Sequence, residues 1–250
     1  MQRPRPQSLA YGAPPDLAHY TECERRNTSK SILSQSFAKD AYVKEMHIVA
    51  IASQKGGSGK TTLARNLAVA GSECQCVTGL LDTDPQGSLT DWWNRRKAKA
   101  PAFIRYEEDI HGLFYLLRRA GNGIVFVDTP PSVHAFVQTV VDLSDLTLVP
   151  VRPSPDDLSA VKATLRLLEG RRWAFVLTQV KPRTRLVQEA ARVLVDAGKL
   201  APVQIIDRVE YAMSAASGSG VVESEPRGAA AEEIRLLFHY VTRRLQGQNL

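Results

Sequence analysis

Cysteine is scarce in this chain: Cys23, Cys74 and Cys76 are its only three in 250 residues. An odd count with no Cys-x-x-Cys pair argues against a disulfide framework and against a zinc site. Reduced thiols, as in a cytosolic protein, are the expectation. No apolar run reaches the length of a membrane-spanning helix. The opening Met-Gln-Arg-Pro-Arg-Pro lacks the apolar core of a signal peptide, and no internal repeat is visible. What is present suits a soluble globular chain, with 44% hydrophobic and 23% charged residues. The length fits one domain, with room for an appendage. The formal net charge of +6 and a pI near 9.3 point toward a polyanionic partner, although charge alone is a weak guide.

The chain is organised around Gln54-Lys55-Gly56-Gly57-Ser58-Gly59-Lys60-Thr61-Thr62. An apolar run, His47 to Ser53, precedes this stretch, and a helix-like run, Leu63 to Ala70, follows it. Strand, glycine loop and helix together form the context of a phosphate cradle. Glycines let backbone N–H groups turn inward and approach a phosphate closely. The helix that starts there adds the positive end of its dipole. Lys60 is placed to reach the β- and γ-phosphates, and the Thr61 hydroxyl to meet Mg²⁺. The loop departs from the general pattern at one place. Gln54 stands where a glycine is usual, and a second lysine, Lys55, follows it.

The remainder alternates strand-like and helix-like runs. Strands are expected at Cys76–Asp82, Phe103–Tyr106, Gly123–Asp128, Leu146–Val151, Trp173–Thr178 and Val203–Ile206. Helices are expected at Leu89–Arg96, His111–Ala120, Val133–Leu143, Asp156–Glu169, Thr184–Ala197 and Ala229–Leu245. Such alternation implies an α/β fold, a doubly wound and mostly parallel sheet with helices on both faces. Gly123-Ile-Val-Phe-Val-Asp128 is almost wholly apolar, as a strand covered on both sides should be. Residues 1–45 read differently. Four prolines and many polar residues suggest an extension that is partly disordered. A short helix is expected over Ser31–Lys44, where Ile32, Leu33, Phe37 and Ala41 have a loose helical spacing. Residues 46–250 form the domain proper.

Doubly wound sheets bind ligands at the carboxyl ends of their strands. Loop 54–62, the pair Asp82/Asp84 and Asp128 all follow strand ends. Mg²⁺ takes oxygen ligands and keeps several waters. Thr61 and Asp128, with Asp82 joining them, are the candidate metal residues, and Asp84 is the candidate for orienting an attacking water. A strand-end aspartate can also serve simply as a helix cap, a role as open to Asp82 as the metal one.

These segments as a set resemble the ParA/MinD group of P-loop ATPases. Lys55-Gly-Gly-Ser-Gly-Lys-Thr61 is similar to their deviant Walker A loop. Asp82-Thr-Asp-Pro-Gln-Gly87 resembles their second motif, and Asp128-Thr-Pro-Pro131 resembles their Walker B. Pro150-Val-Arg-Pro-Ser-Pro-Asp-Asp157, Ile206-Asp-Arg-Val209, Gly220-Val-Val-Glu223 and Ala230-Ala-Glu-Glu-Ile234 are similar to their later segments, in family order from about residue 47 to 245. The resemblance implies ATP with Mg²⁺, cradled by residues 55–62 and Asp128, and a homodimer with ATP sandwiched between subunits. It implies that Lys60 acts in cis, that Lys55 reaches the partner's phosphates, and that Asp84 orients water. The adenine-side position, usually Asn, is Thr178 here and is followed by Gln179.

The same resemblance implies DNA binding without sequence preference, for which Lys181, Arg183, Arg185, Arg208, Arg227, Arg243 and Arg244 are candidates. It further implies a ParB-like centromere-binding partner and a cytoplasmic, nucleoid-associated protein acting in plasmid or chromosome partition. Positioning of another cargo, such as a protein microcompartment, uses the same machine. A MinD-like membrane cycle would need a lipid-inserting C-terminal helix. The apolar stripe Ile234, Leu237, Phe238, Val241, Leu245 is explained equally by packing on the domain itself, so a membrane partner is not expected. A metal-cluster reductase of the nitrogenase-iron-protein type would need cysteines after Asp128, and none are there.

Overall fold

The computed structural model describes residues 45–132 and 134–248. The extension expected over residues 1–45, with its short helix, lies outside them except for Glu45. Seven strands form one sheet in the order β3-β2-β4-β1-β5-β6-β7. They are β1 (Met46–Ile51), β2 (Thr78–Asp82), β3 (Ala102–Ile104), β4 (Gly123–Asp128), β5 (Leu146–Val151), β6 (Trp173–Val180) and β7 (Leu200–Ile206). Every pairing is parallel, so the mostly parallel sheet expected from sequence is parallel throughout.

Side-chain alternation divides the core into two layers. On one face lie Val49 and Ile51 of β1, Ile124 and Phe126 of β4, and Leu146 and Leu148 of β5. Helix α1 (Lys60–Glu73) and the last helix, α9 (Ala229–Leu245), cover that face with Leu63, Leu67, Ile234, Leu237 and Phe238. The intervening residues of the same strands point the other way. Ile48, Ala50, Val125 and Val127 meet α3 (Ile110–Arg119) and α4 (Ala135–Leu143). Val149, Val151, Phe175 and Leu177 meet α5 (Pro155–Leu167) and α6 (Arg185–Ala197). Gly71 marks how closely α1 approaches the sheet. A Cβ there would sit 2.5 Å from Thr78 Cγ2 and 2.8 Å from the Phe238 ring.

The expected helix Ala229–Leu245 has the observed bounds of α9. Its apolar stripe is spent on the core, with Ile234, Leu237 and Val241 fully buried and Phe238 and Leu245 nearly so. That face is not free for lipid. Among the described residues no helix is long and apolar enough to cross a membrane. Helix α2 (Ser88–Arg95) follows the second motif as expected, while β2 starts two residues later and β7 three residues earlier than the sequence reading.

Two short helices were not anticipated, α7 (Val209–Ala216) and α8 (Val221–Ser224). Tyr211, Val221 and Val222 join the core, and polar ties fix both helices to the domain. Arg65 Nη2 donates to the Tyr211 carbonyl at 2.7 Å, and the Val221 N–H donates to Asn66 Oδ1 at 2.9 Å. Trp92 Nε1 donates to the Ser219 carbonyl at 3.2 Å, and Arg96 forms a two-pronged pair with Glu223.

Candidate functional site

Parallel register brings the three motif-bearing strands to a common edge. Ile51 of β1 and Asp82 of β2 both lie opposite Asp128 of β4. The chain then leaves β1 through the glycine loop and enters α1 at Gly59, whose φ of 99° is a left-handed value that favours glycine. No side chain caps α1, so its first-turn N–H groups remain available to an anion. The end of β4 is held firmly. The Thr83 N–H and hydroxyl donate to the Asp128 carbonyl at 2.9 and 2.7 Å, and the Thr129 hydroxyl donates to the Ile51 carbonyl at 2.9 Å.

Within that frame the Thr61 hydroxyl donates to Asp128 Oδ2 at 2.6 Å. Asp128 is 1% exposed, and its Oδ1 has no partner. Burial is the main influence on this carboxyl and pushes its pKa up to about 7, against the opposing Thr61 hydrogen bond. A buried carboxylate with one orphaned oxygen beside a threonine hydroxyl is a donor set that a hard, oxygen-seeking cation satisfies. The orphaned atoms concentrate here. Of the six buried side-chain atoms without partners among the described residues, four belong to the loop or the strand-end segments beside it: Gln54 Nε2, Ser58 Oγ, Asp128 Oδ1 and Ser132 Oγ. The residues present therefore fit a metal-bound polyphosphate.

Lys60 is 6% exposed, and its Nζ donates to the Lys55 carbonyl at 3.3 Å. Burial lowers its pKa, while Asp128 and Asp84 resist the change. The Asp84 carboxylate is thus close enough to be felt at the loop lysine. Its Oδ1 accepts the Gln86 N–H at 3.0 Å. Lys55 is partly buried and lines a narrow slot between β5 and α5 with Ser53, Asp157 and Val161. The remaining loop residues Gly56, Gly57, Ser58 and Thr62 complete the turn around the site, with Gly56 and Gly57 exposed and Ser58 buried.

Several expectations change. Asp82 is a cap: its Oδ2 accepts both the N–H (2.8 Å) and the hydroxyl (2.7 Å) of Thr90, and its Oδ1 accepts the Asp84 N–H. One Asp82 oxygen is engaged by α2 and the other by the turn before it, whereas Asp128 Oδ1 next to Thr61 has no partner among the described residues. Thr178 and Gln179 do line a cleft between the start of α1 and the ends of β6 and β7. Their donors, however, go to the loop. The Thr178 hydroxyl donates to the Ser58 carbonyl at 2.8 Å, and Gln179 Nε2 to the Gly57 carbonyl at 2.5 Å. They brace the cradle from behind. Asp207, Arg208 and Tyr211 form the far wall of the cleft, and the sequence reading gave none of them that place. The nearby Ile206-Asp-Arg-Val209 pattern was the available signal.

The basic residues divide as well. Lys181 and Arg183 are exposed in the turn between β6 and α6, next to Gln179; Arg185 is exposed at the first position of α6 and pairs with Glu189 at 2.9 Å, and Arg227 is exposed elsewhere. Arg208 is committed to Glu233, at 2.8 Å, and Arg243 to Gln248 Oε1 at 2.7 Å. Arg244 is 6% exposed and inside the α9 face. A buried arginine offers nothing to a DNA backbone, so Arg244 leaves the set.

Comparison with known proteins agrees with this geometry. The family model described as the CobQ/CobB/MinD/ParA nucleotide binding domain matches residues 49–221. The chain is similar to maintenance of carboxysome distribution protein A of Halothiobacillus neapolitanus, with 31% identity over 77% of this chain and 95% of that protein. It is also similar to the chromosome-partitioning ATPase Soj of Thermus thermophilus, with 26% identity over 79% of this chain and 96% of that protein. Among solved structures, the septum site-determining protein MinD of Pyrococcus horikoshii, complexed with Mg-ADP, superposes with a TM-score of 0.65 at 17% identity, over 78% of this chain and 96% of that one. A phosphate loop with a second lysine, an acid at the end of β4 and a family match across most of the domain agree: the chain belongs to the CobQ/CobB/MinD/ParA nucleotide-binding family and is a ParA/MinD-type ATPase.

Proposed function

We propose that this ATPase positions an intracellular cargo over the nucleoid, closing into a homodimer on ATP and holding DNA without sequence preference in that state. The observation that supports the reading most directly is the shared sheet edge. The phosphate loop with its two lysines and the exposed cations Lys181, Arg183 and Arg185 all stand at the carboxyl ends of the strands. Nucleotide binding and DNA binding are then adjacent properties of one surface.

In this reading Thr61 and Asp128 would hold Mg²⁺, which would supply charge neutralisation to the phosphates. Lys60 leaves the Lys55 carbonyl and pairs with the phosphates. Asp84, with one oxygen already oriented by Gln86, positions the attacking water. Lys55 leaves the slot beside Asp157 and reaches the partner subunit's nucleotide, as an arginine finger does in other NTPases, where such a charge is worth ~10³–10⁵ in rate. The cleft walled by Thr178, Gln179 and Asp207 takes the adenine end.

The similarity to a carboxysome-distribution protein favours a protein assembly as the cargo. The weaker similarity to Soj keeps plasmid or chromosome partition, with a ParB-like partner, as the second reading. Co-sedimentation with plain DNA and with anionic liposomes, with and without ATP, tests the common part. Wild type is expected to pellet with DNA only when ATP is present, to lose that binding steeply with salt, and to ignore liposomes. Lys60→Ala should not pellet in either case. ATP-dependent pelleting with liposomes and not with DNA would replace this proposal with a membrane cycle.

A further inference from the structure

Arg152 follows the last residue of β5 directly, and a nearly buried carboxylate fixes its side chain. Asp157, in the first turn of α5, is 4% exposed. Its Oδ1 accepts Arg152 Nη2 at 2.8 Å and its Oδ2 accepts Nε at 3.1 Å. The Arg152 backbone N–H donates to the same Oδ2 at 3.1 Å, and the Ser154 hydroxyl donates to Oδ1 at 3.1 Å. Four hydrogen bonds saturate the carboxylate, and the planar fork sets the direction of the remaining arm.

That arm, Nη1, points at the phosphate loop. It lies 3.8 Å from the position a Cβ on Gly57 would take, and no other atom outside the adjoining residues comes within 4 Å of that position. Nη1 makes no hydrogen bond to any described residue. Gly57 has a φ of 69° and is exposed, so the gap between it and Nη1 opens to solvent at the mouth of the cradle. A guanidinium stays charged at all working pH values. A fixed charge with a free donor beside a phosphate loop is oriented before the ligand arrives.

We propose that Arg152 is the third cation of the phosphate site, donating from Nη1 to an oxygen of the outermost phosphate of a nucleoside triphosphate on the loop; this rests on the loop being the phosphate cradle. Lys60, buried against the loop, serves di- and triphosphates alike. Arg152 stands at the open side, where only the longer chain brings an oxygen. Its contribution is therefore preference for ATP over ADP. Asp157 is a positioning residue that acts through Arg152.

Arg152→Gln alone leaves a buried carboxylate unpaired and so threatens the fold. The decisive variant is Arg152→Gln with Asp157→Asn, which removes the cation and leaves an amide pair in its place. Affinities for a non-hydrolysable ATP analogue and for ADP, both with Mg²⁺, are measured by titration alongside the melting temperature. The double variant is expected to melt close to wild type, to hold ADP within about twofold, and to lose roughly tenfold or more in affinity for the ATP analogue, the contribution of one charge-assisted hydrogen bond. Equal weakening of both nucleotides, or no change in either, overturns the assignment. If the double variant does not fold, Asp157→Asn decides alone. It retains the charge but frees the arm, so the ATP-to-ADP affinity ratio should fall several-fold, and an unchanged ratio overturns the assignment. Failure of wild type to bind either nucleotide overturns the cradle itself, and Arg152's role with it.

Discussion

Asp128 makes the ligand-free protein sensitive to pH in a direction opposite to that of most paired carboxylates. Its pKa rises from the usual 3.8 to about 7 because burial disfavours the charge more than the Thr61 hydrogen bond favours it. In the unfolded chain the same group titrates near its ordinary value. Between these two values the folded state holds a proton that the unfolded state has released. Stability from this group is therefore fully present below about pH 4 and is lost as pH rises through about 7. The slope approaches ~1.4 kcal/mol per pH unit and flattens near pH 7, so the loss between pH 5 and 7 is on the order of 2 kcal/mol. At ~2–4 °C per kcal/mol for a domain of this size, the melting temperature should fall by roughly 4–8 °C.

Asp128→Asn has nearly the shape of the protonated acid and cannot ionise. The assay is calorimetry of both proteins from pH 5 to 8 with chelator and no nucleotide. The variant should melt higher than wild type throughout, and the gap should widen as pH rises from 5 toward 7, since all other groups titrate alike in both. Parallel curves across that range would refute the account of a buried, metal-seeking carboxylate. Added Mg²⁺ and nucleotide should reverse the order above pH 7, because the metal binds the ionised form.

Two further variants address the proposed reaction. Lys55→Ala should bind ATP about as well as wild type yet remain monomeric by light scattering with ATP, and an ATP-dependent dimer would remove the lysine from the interface. Asp84→Ala should retain ATP in a long-lived dimer with turnover reduced at least tenfold, and phosphate release at the wild-type rate would show that another group orients the water.

Much of this site was legible because its parts depend on local backbone chemistry. An apolar run that ends in glycines and Lys60-Thr61 can hardly be anything but a strand, a turn and a helix start. Asp128 closes a wholly apolar strand, so its place at the sheet edge followed from the pattern. The helix α9 was readable from its apolar stripe, Ile234 to Leu245, over about three turns. Helices α7 and α8 were not, because they are short and the partners that tie their segment down, Arg65, Asn66, Trp92 and Arg96, are far away in the chain. The roles of Asp82, Thr178 and Arg244 also depended on distant partners. Asp82 meets Thr90 across a turn, Thr178 meets a carbonyl 120 residues earlier, and Arg244 is enclosed by the packing of α9.

Sequence by itself determined which groups could carry phosphate chemistry, since glycine torsions, helix starts and strand ends are properties of neighbouring residues. Only the tertiary structure decided which charges remain available. Asp82 and Arg208 are consumed by partners, Arg244 is buried, and Arg152 is turned so that one arm stays free beside Gly57. A charged side chain's role is set by what surrounds it in space, and no local pattern encodes that.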